Sequence, residues 1–204
     1  MIDFDSKARQ WDENPVFVKR GLKIAEAIRG QVALKPTMRA MDYGCGTGLL
    51  SFPLKDALGH ITLKDTSTGM LDVLREKIAA QGVVNMAVHQ TDLTAEPLPD
   101  ERYDLIYSSM TLHHIPDTGK ILQVFHSLLN PGGRLCLADL DKEDGSFHGP
   151  EIDVHHGFDR TALTAQAEQA GFSQIRFDTV FEIVKETEGG SRAYPVFLMT
   201  AERP

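Results

Sequence analysis

Residues 41–48, Met-Asp-Tyr-Gly-Cys-Gly-Thr-Gly, place three alternating glycines at the end of a short apolar run, Arg39 to Tyr43. Glycine tolerates a positive φ and has no side chain, so such a turn is tight and its backbone amides can face a ligand. Leu49 stands where a G-x-G-x-x-G fingerprint needs its last glycine, which argues against a dinucleotide site. The turn therefore predicts a ligand-binding loop after the first strand, with a merely structural turn as the alternative.

An acidic residue follows the next predicted strand in the same manner. Asp65 comes directly after the apolar run Ile61 to Lys64, 23 residues beyond Asp42. A carboxylate at this position can accept hydrogen bonds from both hydroxyls of a ribose. The alternative is that Asp65 only caps the helix that begins after it. Asp92 repeats the arrangement after the third predicted strand, where it could accept a hydrogen bond from an adenine amino group.

Short apolar runs alternate with amphipathic stretches up to about residue 140, which indicates β/α alternation. Five mostly parallel strands are predicted, at Arg39 to Tyr43, Ile61 to Lys64, Val83 to His89, Tyr103 to Ser108 and Gly133 to Asp139. Helices are predicted after Asn14-Pro15 and at about 69–81 and 118–129. The fold class is therefore α/β, with helices between the strands.

The chain changes character after the fifth predicted strand. Lys142 to Gly157 is polar, contains three histidines and is predicted to be a long loop. A helix at about 159–170 should follow, and then strands at Gln174 to Val184 and Ala193 to Thr200, with a turn at Glu188-Gly189-Gly190 between them. Because a short turn joins these two strands, they should be antiparallel.

Length and composition limit the organisation of the chain and its partners. The 204 residues predict a single domain, with an N-terminal helical cap at 1–37, a cofactor-binding core at 38–140 and a substrate-side region at 141–204. The net charge of −8 argues against long nucleic acids as partners. Since neither a signal-peptide pattern nor a membrane-spanning run occurs, a cytoplasmic protein is expected. Cys45 and Cys136 form no C-x-x-C pair, so neither a disulfide framework nor a cysteine-based zinc site is predicted.

The motifs resemble those of the class I S-adenosylmethionine (SAM)-dependent methyltransferases, particularly the small enzymes similar to ubiquinone and menaquinone biosynthesis methyltransferases. The resemblance spans about residues 38–140 and rests on five segments: Asp42-x-Gly44-x-Gly46-x-Gly48, Asp65-x-Ser67-x-x-Met70-Leu71, Asp92-Leu93, Leu112-His113-His114-Ile115 and Leu129-x-Pro131-Gly132-Gly133. It implies a Rossmann-like doubly wound sheet of seven strands, mostly parallel, with the last strand antiparallel and helices on both faces. It also implies SAM as the methyl donor.

The resemblance assigns roles to individual positions. The glycine turn would hold the methionine part of SAM, and Asp65 would hold the ribose. Thr66 and Met70 would flank the adenine. Ser108, at the end of the fourth strand, would lie near the transferable methyl group. The complete predicted cofactor set is Asp42, Gly44, Cys45, Gly46, Gly48, Asp65, Thr66, Met70, Asp92, Leu93 and Ser108.

Histidines are the best candidates for a base near neutral pH. His113 and His114 follow the fourth strand and are the predicted catalytic residues; the alternative is that one of them packs under the next helix. Trp11 lies in a segment that resembles a lid over the cofactor, with core packing as the plainer alternative. A substrate-binding role is also considered for three histidines of the polar loop: His148, His155 and His156. Their irregular spacing disfavours a metal site.

Three functions remain open at this point. Methyl transfer to a small-molecule acceptor is the first, because the motifs of a SAM site occur in an acidic chain. The second is a SAM-binding regulatory or partner protein that has lost catalysis. The third, modification of a macromolecule, is disfavoured because Ser108-Ser109-Met110-Thr111 stands where nucleic-acid amino methyltransferases resembling this family carry an Asn/Asp-Pro-Pro-aromatic motif.

Overall fold

The part of the chain that the computed structural model describes comprises residues 3–95, 97–98, 100–149, 151–187 and 190–204. Its strands are β1 (Arg39–Tyr43), β2 (His60–Asp65), β3 (Met86–Gln90), β4 (Tyr103–Ser109), β5 (Leu129–Leu140), β6 (Ser173–Thr187) and β7 (Gly190–Glu202). Its α-helices are α1 (Phe4–Lys7), α2 (Pro15–Gln31), α3 (Ser51–Leu54), α4 (Thr68–Ala80), α5 (Thr118–Leu128) and α6 (Arg160–Gln169). The predicted alternation of strands and helices is confirmed.

The strand order creates a crevice at one edge of the sheet. The seven strands lie in the order β3-β2-β1-β4-β5-β7-β6. Strands β1 to β5 are parallel, and β7 is antiparallel to both β5 and β6. This arrangement confirms the predicted seven-stranded sheet with an antiparallel last strand. The order reverses between β1 and β4, and ligands of such sheets bind outside the carboxyl ends of the strands at that reversal.

Helices cover both faces of the sheet. Successive residues of a strand point to opposite faces, and in β1 Ala40 belongs to one buried cluster and Met41 to the other. The first cluster includes Ile24 of α2, and the second includes Phe125 of α5 and Leu163 of α6. The sheet is therefore buried on both sides, as the near-continuous apolar runs predict.

Several strand boundaries differ from the prediction, and hydrogen bonds explain two of them. The fifth strand begins at Leu129 instead of Gly133, because Gly132 N donates to Arg203 O at 2.7 Å and Arg203 N donates to Gly133 O at 2.9 Å. The third strand begins at Met86 instead of Val83, because Val83 N still donates to Ile78 O, at 3.0 Å. In both places the hydrogen-bond partner comes from outside the predicted element.

The segment between β5 and α6 forms bends and turns, without helix or strand at its described positions 142–149 and 151–157, as predicted. Asp141, at its base, is held by two hydrogen bonds of 2.7 Å from Arg160. Of the predicted turn between β6 and β7, Glu188 and Gly189 lie outside the described residues. In the described part of the chain, no helix combines the length and the apolarity needed to cross a bilayer.

Candidate cofactor and substrate site

A large cavity lies at the carboxyl ends of the parallel strands. Its volume is about 1120 Å³, which is slightly above the range of about 300–1,000 Å³ that is usual for small-molecule sites. Its wall includes nine members of the predicted cofactor set or lid: Trp11, Asp42, Gly44, Cys45, Gly46, Asp65, Thr66, Met70 and Asp92. The crevice expected at the strand reversal is therefore present and large.

The glycine turn contributes to the cavity in two ways. Gly46 has a φ of +51°, and a Cβ built there would meet nothing closer than the Met70 sulfur at 4.0 Å. Its bare backbone therefore faces open cavity. Gly48 has a φ of +83° and does not line the cavity, and a Cβ there would come within 2.7 Å of Leu74. Gly46 leaves room for a ligand, whereas Gly48 lets helix α4 pack close to the turn.

Asp65 connects the glycine turn to the helix after β2. Its Oδ2 accepts a hydrogen bond from Gly46 N at 2.8 Å, and its Oδ1 accepts one from Ser67 N at 2.9 Å. Burial raises the pKa of this carboxyl, and the backbone amides only partly offset the effect. The carboxylate therefore lies at the cavity wall, beside the position where the turn backbone is open.

Two more acids line the same part of the cavity. Asp42 accepts a hydrogen bond from Ser51 Oγ at 2.7 Å, and burial raises its pKa to about 7. Asp92 accepts hydrogen bonds from Thr94 N at 2.8 Å and Thr94 Oγ1 at 2.6 Å. The pKa of Tyr43 is raised to about 12, first by burial and then by the charge of Asp92. This end of the cavity is therefore electronegative, which suits a ligand that carries positive charge.

The N-terminal segment is fastened across this end of the cavity by acidic side chains. Asp5 accepts hydrogen bonds from Ser67 Oγ at 2.5 Å and Gly69 N at 2.9 Å. These two bonds lower the pKa of Asp5. Asp12 accepts hydrogen bonds from Thr47 Oγ1 at 2.5 Å and Lys77 Nζ at 2.6 Å. The segment is thus joined to the glycine turn and to the start of helix α4.

Aromatic rings of the same segment form one wall of the cavity. The Trp11 ring lies 4.6 Å from that of Phe17 and 5.9 Å from that of Phe4. The Phe4 ring stands edge-on to His114, with 5.3 Å between ring centroids. The three rings of Phe4, Trp11 and Phe17 all line the cavity. This geometry agrees with the predicted lid, which remains a prediction about motion and binding.

The two predicted catalytic histidines have different environments. His113 is 1% exposed and lies outside the cavity wall, with its Nδ1 2.7 Å from Oδ1 of the fully buried Asp139. Burial opposes ionisation of Asp139, but the charge and the hydrogen bonds of His113 outweigh burial and lower the pKa of Asp139. His114 does line the cavity, and burial, together with the nearby His113, lowers its pKa to about 4. The structure therefore brings only His114 to the ligand space.

The histidines of the polar loop pack beside this pair. The ring of His148 lies 4.9 Å from that of His113 and 5.7 Å from that of His114, and burial lowers its pKa to about 4. Nε2 of His155 lies 3.0 Å from Ile115 O. The His156 ring packs against Gly145, where a Cβ would come within 2.8 Å of it. None of the three lines the cavity; the loop residues that do are Ile152, Asp153 and Val154.

Two predicted cofactor residues lie below the cavity surface. Ser108 is 4% exposed and donates a hydrogen bond to Tyr43 O at 2.6 Å, and Leu93 is 2% exposed within the second buried cluster. The strand-end residues that reach the cavity wall near Ser108 are Ser109, Met110 and Thr111. Among the described residues, no group of three or more His, Cys, Asp or Glu side chains is arranged to hold a metal ion.

Sequence reasoning missed Arg20, which lines the cavity from helix α2. Its guanidinium carbon lies 5.0 Å from the centre of the Phe17 ring. A signal for it exists in the sequence, because Phe17, Arg20, Gly21 and Ile24 follow helical spacing, so a basic residue occupies the apolar stripe. A charged residue on a buried face is the feature that marks it.

Comparison with known proteins identifies the family of the chain. A model of the methyltransferase domain family matches residues 34–186. The ubiquinone/menaquinone biosynthesis C-methyltransferase of Vibrio vulnificus is 35% identical over 113 residues, which cover 53% of this chain and 43% of that protein. Phosphoethanolamine N-methyltransferase 1 of Zea mays is 33% identical over 162 residues, which cover 76% of this chain and 32% of that protein. The chain thus spans less than half the length of these two relatives.

A solved structure supports the fold independently. The crystal structure of a SAM-dependent methyltransferase from Aquifex aeolicus matches 98% of this chain and 99% of its own, with a TM-score of 0.70 and 22% sequence identity. The predicted fold is thereby confirmed, and the family model confirms the predicted methyltransferase domain. The chain belongs to the methyltransferase domain family, and its strand order is that of the predicted Rossmann-like sheet.

Proposed function

We propose that this protein transfers the methyl group of SAM to a small-molecule acceptor. One observation carries the proposal: the Asp65 carboxylate and the open backbone of Gly46 lie 2.8 Å apart at the wall of one large cavity. A ribose needs a carboxylate acceptor, and the rest of the same cofactor needs bare backbone that it can approach closely. The two requirements are met side by side.

The residues present fit the cofactor along its length. Asp65 would accept hydrogen bonds from the ribose hydroxyls, and Thr66 and Met70 would flank the adenine. Asp92 would accept a hydrogen bond from the adenine amino group. The sulfonium of SAM is positively charged, and the acids of the cavity wall favour a cation there. Gly44 and Gly46 would leave the methionine part in contact with backbone.

Several observations support a small acceptor. The cavity exceeds the usual volume of a single-ligand site, so space remains for a second molecule beside the cofactor. The N-terminal segment is fastened through Asp5 and Asp12, and its rings form one wall of the cavity. The relatives named above carry a C-methyltransferase and an N-methyltransferase name, and both names refer to small metabolites. We therefore place the acceptor inside the cavity, under the segment that carries Trp11.

Positioning should account for most of the rate enhancement. SAM supplies an electrophilic methyl group, so the protein mainly has to align the acceptor with it and exclude water. Alignment can lower the barrier by about 7–11 kcal/mol, whereas a general base contributes about 10²- to 10⁴-fold. His114 is neutral at pH 7 because its pKa is about 4. It can accept a hydrogen bond from the acceptor, but its low basicity makes it an orienting group more than a strong base.

His113 would act through its neighbour. Its ring centroid lies 4.1 Å from that of His114, and Asp139 fixes its orientation from below. We therefore propose His114 as the residue in contact with the acceptor and His113 as a positioning residue. The loop residues 152–154 would close the acceptor side of the cavity.

Two measurements test the proposal. Isothermal titration of the purified protein with S-adenosylhomocysteine (SAH) and SAM should show binding, and a folded protein that binds neither would overturn it. Incubation with methyl-labelled SAM and a panel of small amines, thiols, phenols and quinols should then label at least one acceptor. Binding without labelling of any acceptor would favour the alternative of a SAM-binding protein that lacks catalysis.

A further inference from the structure

His148 places a buried nitrogen without a partner beside the predicted catalytic histidines. Its ring centroid lies 4.9 Å from that of His113 and 5.7 Å from that of His114. Within the described part of the chain, Nε2 of His148 is the one fully buried side-chain nitrogen or oxygen that lacks a hydrogen-bond partner. Because protein encloses this atom, bulk water does not satisfy it, and a buried polar atom in this state is costly. A neighbouring side chain is therefore expected to supply the partner.

The loop segment that carries His148 is held by the hairpin of β6 and β7. The hydroxyl of Ser146 lies 2.7 Å from the hydroxyl of Tyr194 on β7. Lys185 on β6 donates a hydrogen bond to the carbonyl of Phe147 at 2.5 Å, and its ammonium lies 4.0 Å from the centre of the Phe147 ring. These contacts fix the two residues that precede His148. The fold therefore holds the His148 ring against the pair.

Of the two neighbouring rings, His114 is the one that is free to turn towards His148. The orientation of His113 is fixed, because its Nδ1 and its backbone N lie 2.7 and 3.2 Å from the carboxylate oxygens of Asp139. The structure shows no hydrogen bond between the His114 ring and any other described residue. An N–H···N bond of about 2.9 Å between two imidazoles places their centroids about 5 Å apart. A small rotation of His114 that shortens the present 5.7 Å would form this bond.

We propose that His148 is a positioning residue, which accepts a hydrogen bond from the His114 ring and so selects the nitrogen that His114 presents to the cavity. Burial lowers the pKa of both rings to about 4, so each is neutral at pH 7, with one N–H donor and one acceptor nitrogen. When the N–H of His114 points at Nε2 of His148, its other nitrogen is left unprotonated for a hydrogen bond from the methyl acceptor. This inference rests on the proposed function, in which His114 contacts that acceptor.

The tautomers of the two rings test the proposal without any turnover. In SAH-loaded protein with isotope-labelled histidine, long-range proton–nitrogen correlation spectra at pH 7 identify the ring nitrogens that carry protons. The wild type should show a single tautomer of His114 and a proton on Nδ1 of His148. In His148→Phe, His114 should populate both tautomers. The control His60→Phe lies at the start of β2, away from the carboxyl ends of the strands, and should leave the His114 signals unchanged.

Two results of this measurement would overturn the inference while the proposed function stands. The first is a proton on Nε2 of His148 in the wild type, because that nitrogen could then accept no hydrogen bond. The second is a His114 tautomer that stays the same in His148→Phe. A folded protein that binds neither SAM nor SAH would remove the proposed function itself.

Steady-state kinetics separates a positioning role from a structural one. With an acceptor labelled in the panel above, kcat of His148→Phe should fall by about 10-fold, while the KM for SAM stays near that of the wild type. The melting temperature should not fall, because phenylalanine keeps an aromatic ring and removes the buried nitrogen without a partner. His148→Gln supplies a side-chain oxygen as a substitute acceptor and should recover part of kcat. A kcat that is unchanged in both variants would mean that His148 only packs the loop.

Discussion

Asp42 and Asp139 lie near the carboxyl ends of two parallel strands and are equally buried, with 1% and 0% exposure, yet their pKa values move in opposite directions. Burial raises the pKa of Asp42 to about 7, because one hydrogen bond from Ser51 does not compensate for it. Burial opposes ionisation of Asp139 as well, but His113 outweighs it and lowers the pKa. The partner of a buried carboxylate, and not its depth, decides its charge.

This difference divides the site into two halves. The cofactor half contains Asp42, Asp65 and Asp92, which accept hydrogen bonds from the neutral donors Ser51, Gly46 and Thr94. The histidine half contains His113, His114, Asp139 and His148, whose charges and rings act on one another. A positively charged ligand is therefore expected to bind the first half, while the second half supports the wall beside it.

The largest expected effect comes from breaking the buried pair of the histidine half. Asp139→Ala leaves His113 buried without its acceptor, so the free energy of unfolding should fall by about 3–5 kcal/mol. Urea denaturation at pH 7 measures the change. Asp144→Ala, which removes an exposed carboxylate paired with Arg192, should have a much smaller effect. A loss below about 1 kcal/mol in Asp139→Ala would show that the pairing adds little to stability.

A second experiment tests the opposite pKa shift of the cofactor half. Between pH 4 and 7 the folded protein holds a proton on Asp42 that the unfolded chain releases, because the pKa rises from 3.8 to about 7 on folding. The contribution of Asp42 is therefore fully present below pH 3.8 and is lost as the pH rises through about 7. Relative to Asp42→Asn, the free energy of unfolding of the wild type should fall by up to about 4 kcal/mol over this range.

Denaturation curves of both proteins, recorded without cofactor at intervals between pH 4 and pH 8, measure the difference. Other titrating groups are shared by the two proteins, so their contributions cancel in the comparison. Parallel stability profiles would mean that Asp42 titrates normally and that the contrast with Asp139 does not exist.

Cofactor affinity provides a third test of the cofactor half. Asp65→Ala removes the proposed acceptor of the two ribose hydroxyls as well as the bond that orders Gly46, so the Kd for SAH should rise by about 100-fold. Isothermal titration measures it. Asp72→Ala is the matched control, because Asp72 lies on helix α4 and pairs only with Arg75 at the surface. An unchanged affinity in Asp65→Ala would refute the assignment of the ribose site.

The smallest effect on cofactor affinity is expected from the predicted lid. Its Asp5 accepts a hydrogen bond from Ser67 beside the cofactor half, and the ring of its Phe4 contacts His114 of the histidine half. Trp11→Ala removes the ring that packs on Phe4 and Phe17, so the Kd for SAH should rise by about 3- to 10-fold. The control Leu22→Ala removes an exposed apolar side chain from helix α2. Equal affinities in both variants would assign Trp11 to packing alone.

Much of the cofactor half was predictable because each of its residues follows its own strand. Asp42, Asp65 and Asp92 stand at the ends of three successive predicted strands, and parallel strands bring their carboxyl ends to one edge. The glycine turn was predictable for the same local reason. The predicted strand boundaries were wrong where a distant segment supplies the hydrogen bonds. In β5, hydrogen bonds with Arg203 extend the start of the strand.

For the histidine half, the sequence predicted which histidines lie near the site but not the environment of each one. His113 and His114 are adjacent in the sequence, yet one is buried on Asp139 and the other faces the cavity. The position of Ser108 beneath the glycine turn depends likewise on the carbonyl of Tyr43, which is 65 residues away. No local pattern distinguishes the two histidines, because the difference comes from the strand that packs against them.

By itself, the sequence determined the α/β alternation, the antiparallel pairing of the last two strands and the acids that stand at the ends of the strands, because these depend on local periodicity and on the turn after each strand. Tertiary structure alone decided which polar groups are buried in pairs and which face the cavity. Arg20 shows the reason: its helix places it on an apolar stripe, and only the packing of that helix against the glycine turn brings it to the cavity wall.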